Sequence, residues 1–533
     1  MHFPRRPDLA VKFAFASFLL SLSSFFPGAV WAEVTVKQDL SATMYSVSGN
    51  KEKSFYRGNR TSYLYEGLMD FREKTGEDAE VYGNVLYRLT DDRLVDKQAF
   101  TLKQLTLGYR DRSKEIVAGD NTANFSDYSL NNSLRGLTAR LKTGETTVIT
   151  LVSGIAAPVW DIFWKDLKGG GTAKRNVWGA RAERTFLSED ALSIGLNYGT
   201  GQDDSDYFTS SDTYKRIQVF SSDLGYRPTE AVSIKGEIAR SFTKAYSHGG
   251  LAYDTGSEGA HKLALEVTGK KGAASAQYDR VDPRFETTGG FSAQDLETFQ
   301  ANGNIFLAAN FSLAPYLSAT RDNLKNTKAA TTRRTNPGLN FSWKLAEDTN
   351  LSGGVDVRGE KADDDSADNN TNTLTLGLAK NYSAAAASLN FEHGAVRDNV
   401  SSDQDRDRNA LSLGIGSGFS LWNSKITWDL QERAAVEKHV SAGKSDLLLA
   451  HSAGIGAMLP NDLEVRTRLS LSDNNFYQDA NDSAVTEYSA SASKKFGERA
   501  VLFLDYTGKD NRFSGSGNDY SERKLSVKVS CRL

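Results

Sequence analysis

Five histidines follow residue 32: His248, His261, His393, His439 and His451. Such side chains are the natural acid–base groups near neutral pH. None of them sits in a recognisable nucleophile motif. Gly414 to Gly418 reads Gly-Ile-Gly-Ser-Gly, with its serine one place off the slot that Gly-x-Ser-x-Gly requires. No Cys-x-x-Cys-His occurs, so no c-type haem is expected. Asp363-Asp364-Asp365 and the Asp403, Asp405, Asp407 set present clustered oxygens of the kind that hold Ca²⁺. Neither run has the spacing of a calcium loop, and both read as solvated loops. Metal-ligand spacing is absent elsewhere. The lone Cys531 cannot close an internal disulfide and reads as a small hydrophobe. Neither an enzyme nor a cofactor-binding protein is expected, and attention turns to the elements that carry these residues.

Those elements are strands with two faces. From Lys524 to Leu533, Leu525, Val527, Val529, Cys531 and Leu533 alternate with Lys524, Ser526, Lys528, Ser530 and Arg532. Successive side chains of a strand point to opposite faces, so one face is apolar and the other wet. The rhythm recurs at 104–109, 192–198, 262–267, 373–378, 385–392 and 463–471. Short connections such as Lys270-Lys271-Gly272 and Phe496-Gly497-Glu498 separate some runs. Long polar stretches separate others: Gln202 to Asp212, Ala362 to Asn372, Ser401 to Asn409, Asp473 to Ser483 and Lys509 to Asp519.

Residues 1–32 read as a cleaved signal peptide. Arg5, Arg6 and Lys12 precede the apolar Phe13 to Phe26, and Val30-Trp31-Ala32 offers a cleavage site. Their removal from the 533 residues leaves 501 and moves the net charge from −3 to −5. That mild acidity gives no reason to expect nucleic acid. No later stretch is long and apolar enough for a membrane helix. A mean hydropathy of −0.47 still allows a membrane barrel, in which only alternate residues need be apolar.

In its signal, its alternation and its pairing of short turns with long loops, the chain resembles bacterial outer-membrane β-barrels. The resemblance spans nearly all of residues 33–533. It implies an all-β fold, a single large closed antiparallel transmembrane barrel with periplasmic turns and extracellular loops. At about 20 residues per strand and connection, roughly 22–26 strands are expected. It also implies Sec-type export to the outer membrane of a Gram-negative bacterium. The expected partners are the barrel assembly machinery, outer-membrane lipid and lipopolysaccharide, with a periplasmic or lumenal protein a further one. The closing strand of the class commonly ends in an aromatic residue, whereas this chain ends in Leu533.

Two sets of residues bear on what a lumen would do. The stretch Asp120 to Leu134, then Ile155 to Gly171, breaks the two-residue rhythm. Within it Trp160, Phe163 and Trp164 share a face at helical spacing. They read either as a constriction folded into the lumen or as an aromatic loop at the lipid–water boundary. Lys262, Glu266, Asp356, Arg358, Glu464, Arg466 and Arg468 fall on the wet face. Their mixed signs suit paired wall charges better than an ion filter. Three functions fit such a barrel: a pore for solutes or an exported polymer, a sheath around a partner such as a multihaem cytochrome, or a surface receptor or adhesin working through its loops.

Overall fold

The computed structural model describes residues 33–533 except 157–159, 161–173, 188–190, 208–213, 248–251, 289–293, 477–481, 515–516 and 533. Twenty-six strands form one sheet in which each pairs antiparallel with its sequence neighbours. The first, β1 (Glu33–Gly49), pairs with the last, β26 (Tyr520–Arg532), from Lys37↔Arg532 to Gly49↔Tyr520, and the barrel closes. Closure leaves no edge strand. The count stands at the top of the expected range, and the architecture is that of an outer-membrane-type barrel.

Connections alternate in length. At one end, where β1 begins and β26 finishes, turns of two to five residues join the strands, for example 230–231, 270–271 and 422–423. The opposite end carries loops of up to eighteen residues. Chemistry suits the tight turns. Trp422 and Asn423 both take positive φ (47° and 60°), as a two-residue type I′ hairpin demands, and Trp422 is 87% exposed. In the 111–113 turn, Asp111 accepts from the backbone N–H groups of Ser113 and Lys114 and from the hydroxyls of Ser113 and Tyr109. These bonds, the Ser113 N–H foremost, hold its carboxyl well below the ordinary carboxylate range.

The polar connections are shorter than their composition suggests. The loop expected at Ala362 to Asn372 spans only 363–367, and the one at Ser401 to Asn409 only 399–405. A tilted strand needs about ten residues to cross the hydrocarbon core, yet these strands run to 18. Their upper parts extend beyond it, wet on both faces, so polarity marks the membrane boundary and not the strand end. Likewise β10 (Tyr214–Thr229) continues through Arg227-Pro228-Thr229, a triplet whose proline suits a turn, and the turn falls at 230–231.

One face of the wall carries exposed aliphatic and aromatic side chains all round, such as Leu196, Ile238, Leu263, Leu376, Leu413, Leu469 and Val527. This is the outer face. The inner face carries glycine, serine, asparagine and paired charges.

Candidate functional site: a hairpin latched inside the barrel

Strand β5 (Lys114–Asn124) pairs with β4 (Phe100–Arg110) only from Arg110↔Glu115 to Thr106↔Gly119. There Gly119 adopts φ +100°, and a Cβ on it would be driven into the Leu105 carbonyl. Only glycine accommodates both conditions. Beyond this pivot β5 leaves the wall. Where the next rung would form, the Asp120 carboxylate accepts the Leu105 N–H (2.7 Å) and the Thr106 hydroxyl donates to the Asp120 carbonyl (2.8 Å). The β5–β6 pairing itself continues to Asn124↔Asn131, while β6 (Asn131–Thr143) loses β7 (Thr147–Ala156) above Arg135↔Ile155. Residues 120–134 therefore form a free hairpin, and it folds across the inner wall.

Its tip is fastened strand by strand. Phe125 and Leu130 lie over Gly179 of β8 (Arg175–Phe186), where a Cβ would approach them to 2.6 and 2.9 Å. Ser126 Oγ stands 3.0 Å from Ser221 Oγ of β10. The N–H groups of Asp127 and Tyr128 donate to the Glu237 carboxylate of β11 (Val232–Tyr246) at 3.0 and 3.1 Å. Lys262 of β12 (Ala252–Gly269) donates to Asp127 at 2.7 Å, and the Tyr128 hydroxyl to Asp279 of β13 (Gly272–Val281) at 2.9 Å. The loop after β13 closes over the tip. Phe285 meets Tyr128 edge to face at 5.8 Å, and the Thr288 hydroxyl donates to the Ser129 carbonyl at 2.8 Å. Thr288 in turn rests on Gly199 of β9 (Leu192–Asp203).

Two apolar clusters result inside the barrel. One joins Tyr128 and Phe285 to Ile217, Val219, Ala239, Ala260 and Val281. The other joins Ala123, Phe125, Leu130 and Leu134 to Val152 and Val177. Without the hairpin the wall residues of these clusters would face water. Phe285, Leu130, Ile217 and Val177 are instead fully buried. Burying Phe285 alone is worth about 3 kcal/mol at the upper end of the usual side-chain range.

The predicted site residues are distributed as follows. Trp160 donates its indole N–H to Asp120 (2.6 Å) and lies beneath the Arg135 guanidinium (5.5 Å), beside the pivot. Phe163 and Trp164 fall outside the described residues. All seven wet-face charges lie on the inner face, each near an opposite charge or a hydroxyl. Besides the Lys262–Asp127 pair, Glu266 meets Lys235 (3.5 Å) and Arg358 meets Asp356 (3.0 Å), which also accepts from Tyr316. Glu464 pairs with Arg466, and Arg468 reaches Asp429 at 2.7 Å. Further charges join them, among them Arg181–Asp223, Arg175–Asp203 (2.6 Å) and Lys528–Asp39 (2.8 Å).

Sequence reasoning pointed to the irregular stretch 120–134 but not to its destination. The signal was present on the opposing strands. Gly195, Gly199 and Gly201 share the inner parity of β9, and Ile217 and Val219 put apolar residues on the inner parity of β10, where water would otherwise stand. Nor did the sequence show Glu437, His439 and Asp446 meeting near the loop end, since only the register between β21 (Ser424–His439) and β22 (Lys444–Leu459) brings them together. These three could share a divalent cation, although Arg406 already holds Glu437 (2.9 Å) and His439 bonds Asp446 (2.9 Å).

No family model and no curated protein matches the chain. Among solved structures it is similar to the translocation pore of the P pilus usher PapC, at 10% identity and TM-score 0.37, covering 94% of this chain and 99% of that one. It is similar also to the ferric citrate transporter FecA, at 8% identity and TM-score 0.40, covering 94% and 79%. OccAB4 of Acinetobacter baumannii gives 10% identity and TM-score 0.29, covering 95% and 100%.

Proposed function

We propose that the chain is an outer-membrane conduit that carries polar cargo by diffusion through a hydrated lumen, with the β5–β6 hairpin as its built-in constriction. The observation that carries this reading is the latched tip. It spreads over the inner face of β8 to β13, while the rest of the inner face keeps a polar lining of serine, asparagine, glycine and compensated charge. Such a lining favours hydrated solutes without strong charge preference. It suits transport, not catalysis.

Width favours a second reading. Twenty-six strands spaced about 4.8 Å apart and tilted about 40° give a circular backbone section roughly 50 Å across. A cylinder that wide has room for a folded partner, as a sheath requires, even with the hairpin in place.

Planar-bilayer recording separates the two. Large, stable openings are expected both from the refolded chain and from protein isolated natively from its membrane. Openings from the refolded chain with silence from the native isolate would make the barrel a sheath whose partner fills the lumen. Silence from both would contradict a conduit of either kind.

A further inference from the structure

The inner-wall charges named above are paired, but a group on the outer wall is not. Arg216 of β10, Arg240 and Lys244 of β11 and His261 of β12 are all exposed, and all share the parity of the outward Phe220, Phe242 and Leu263. Among the described residues none of the four has a carboxylate partner, although Arg240 Nε donates to Ser257 Oγ at 2.8 Å. Arg216 and Lys244 stand toward the loop end of their strands, above the packed rings of Tyr198, Phe220 and Phe242, while Arg240 is level with Tyr198 and Phe220 and His261 lies one outward row lower, opposite Ile238. Aromatic rings of this kind mark the lipid–water boundary. A cation held there without a protein counter-ion calls for an anion from the membrane.

Directly below lies an outward-facing groove of about 790 Å³. The small Ala180 and Ala182 floor it, and Leu196, Tyr198, Phe220 and Ile238 wall it. Arg240 and His261 line its side toward β11 and β12. Because the groove opens on the apolar belt, its occupant is an acyl chain, and the basic groups fix what that chain is attached to. Arg216 and Lys244 face each other across the β10–β11 ladder and make one cationic centre. Arg240 makes the other, with the His261 imidazole on the neighbouring strand as a hydrogen-bonding group beside it, four residues lower along β11, or about 13 Å. Two separated cationic centres beside one acyl groove match a headgroup with two separated phosphates.

We propose that the outer face of β9 to β12 docks a doubly phosphorylated, acylated disaccharide of the lipid A class. One phosphate sits between Arg240 and His261, the other on Arg216 and Lys244, and an acyl chain fills the groove. The proposal rests on the outer-membrane placement put forward above. The hairpin reaches these four residues only through the backbone, where the Tyr128 hydroxyl donates to the His261 carbonyl at 3.5 Å, so exchanging their side chains leaves the latch in place.

Native mass spectrometry of the full chain, delipidated in detergent, tests it with three probes: diphosphoryl lipid A, its dephosphorylated form, and phosphatidylglycerol. Wild-type protein should retain diphosphoryl lipid A at least tenfold better than either other probe. The pair Arg240→Gln/His261→Gln and the pair Arg216→Gln/Lys244→Gln should each lose most of that preference, and Arg240→Lys should keep it. A heat-dependent gel shift verifies that every variant is a folded barrel. Equal retention of the dephosphorylated lipid, phosphatidylglycerol binding as tightly as lipid A, or folded variants that bind like wild type would each overturn the site. Fractionation keeps the two readings apart: a chain found in the outer membrane but lacking the preference defeats this site alone, whereas a chain absent from that membrane defeats the placement.

Discussion

Excising residues 125–130 and joining Asn124 to Asn131 through two glycines is expected to raise single-channel conductance by roughly a fifth, the share of so wide a section that a wall-latched tip occupies. The cut falls beyond the last β5–β6 rung, so the ladder and the barrel closure stay intact. Water would then reach Ile217, Val219 and Val177, and binding of a dye for apolar surface should rise in parallel. Gly179→Leu should move conductance the same way by a smaller step, since its side chain would occupy the place of Phe125 and Leu130. An unchanged conductance in the excised protein would mean that the tip does not lie in the conducting path.

The second large effect belongs to the pivot. Gly119→Val is expected to destabilise the folded barrel by about 3 kcal/mol or more, because a β-branched residue meets both a positive φ and a carbonyl in its way. Gly144, in the 144–146 turn, serves as the control. Its φ is +73° but a Cβ there meets nothing within 4 Å, so Gly144→Ala should cost only about 1 kcal/mol. Urea titrations of refolded protein followed by tryptophan fluorescence, with the gel shift as a second probe, would rank the two. Equal midpoints for Gly119→Val and wild type would show that the hairpin enters the lumen without that bend.

The two-residue rhythm made the wall legible, and particular strands show how far. Leu463 to Leu471 reads as a strand from its alternation, and it continues to Asn475 because nothing forces a strand to stop where its outer face turns polar. Leu525 to Cys531 reads as the closing strand, but its pairing with β1 is a contact across almost the whole chain that no local pattern encodes. The hairpin was legible only as a break in the rhythm. Its course depends on one glycine dihedral and on Asp120 replacing a backbone rung, and neither leaves a periodic trace. The aromatic run around Trp160 drew attention because its residue types are conspicuous. The latch groups that matter more, Glu237, Ser221 and Asp279, look like any wet-face residue until the fold carries the tip across to them.

Behind every functional statement stands one assignment, that alternate residues of each strand face acyl chains and an aqueous interior. Single cysteines placed in turn at 463–471 in a Cys531→Ser background, in intact outer membranes, test it directly. A membrane-impermeant maleimide should label positions 464, 466, 468 and 470, while a fluorophore at 465, 467, 469 and 471 should be quenched by nitroxide-bearing lipids. Uniform labelling along the segment, or quenching at the even positions, would contradict a lipid-facing wall around a hydrated lumen.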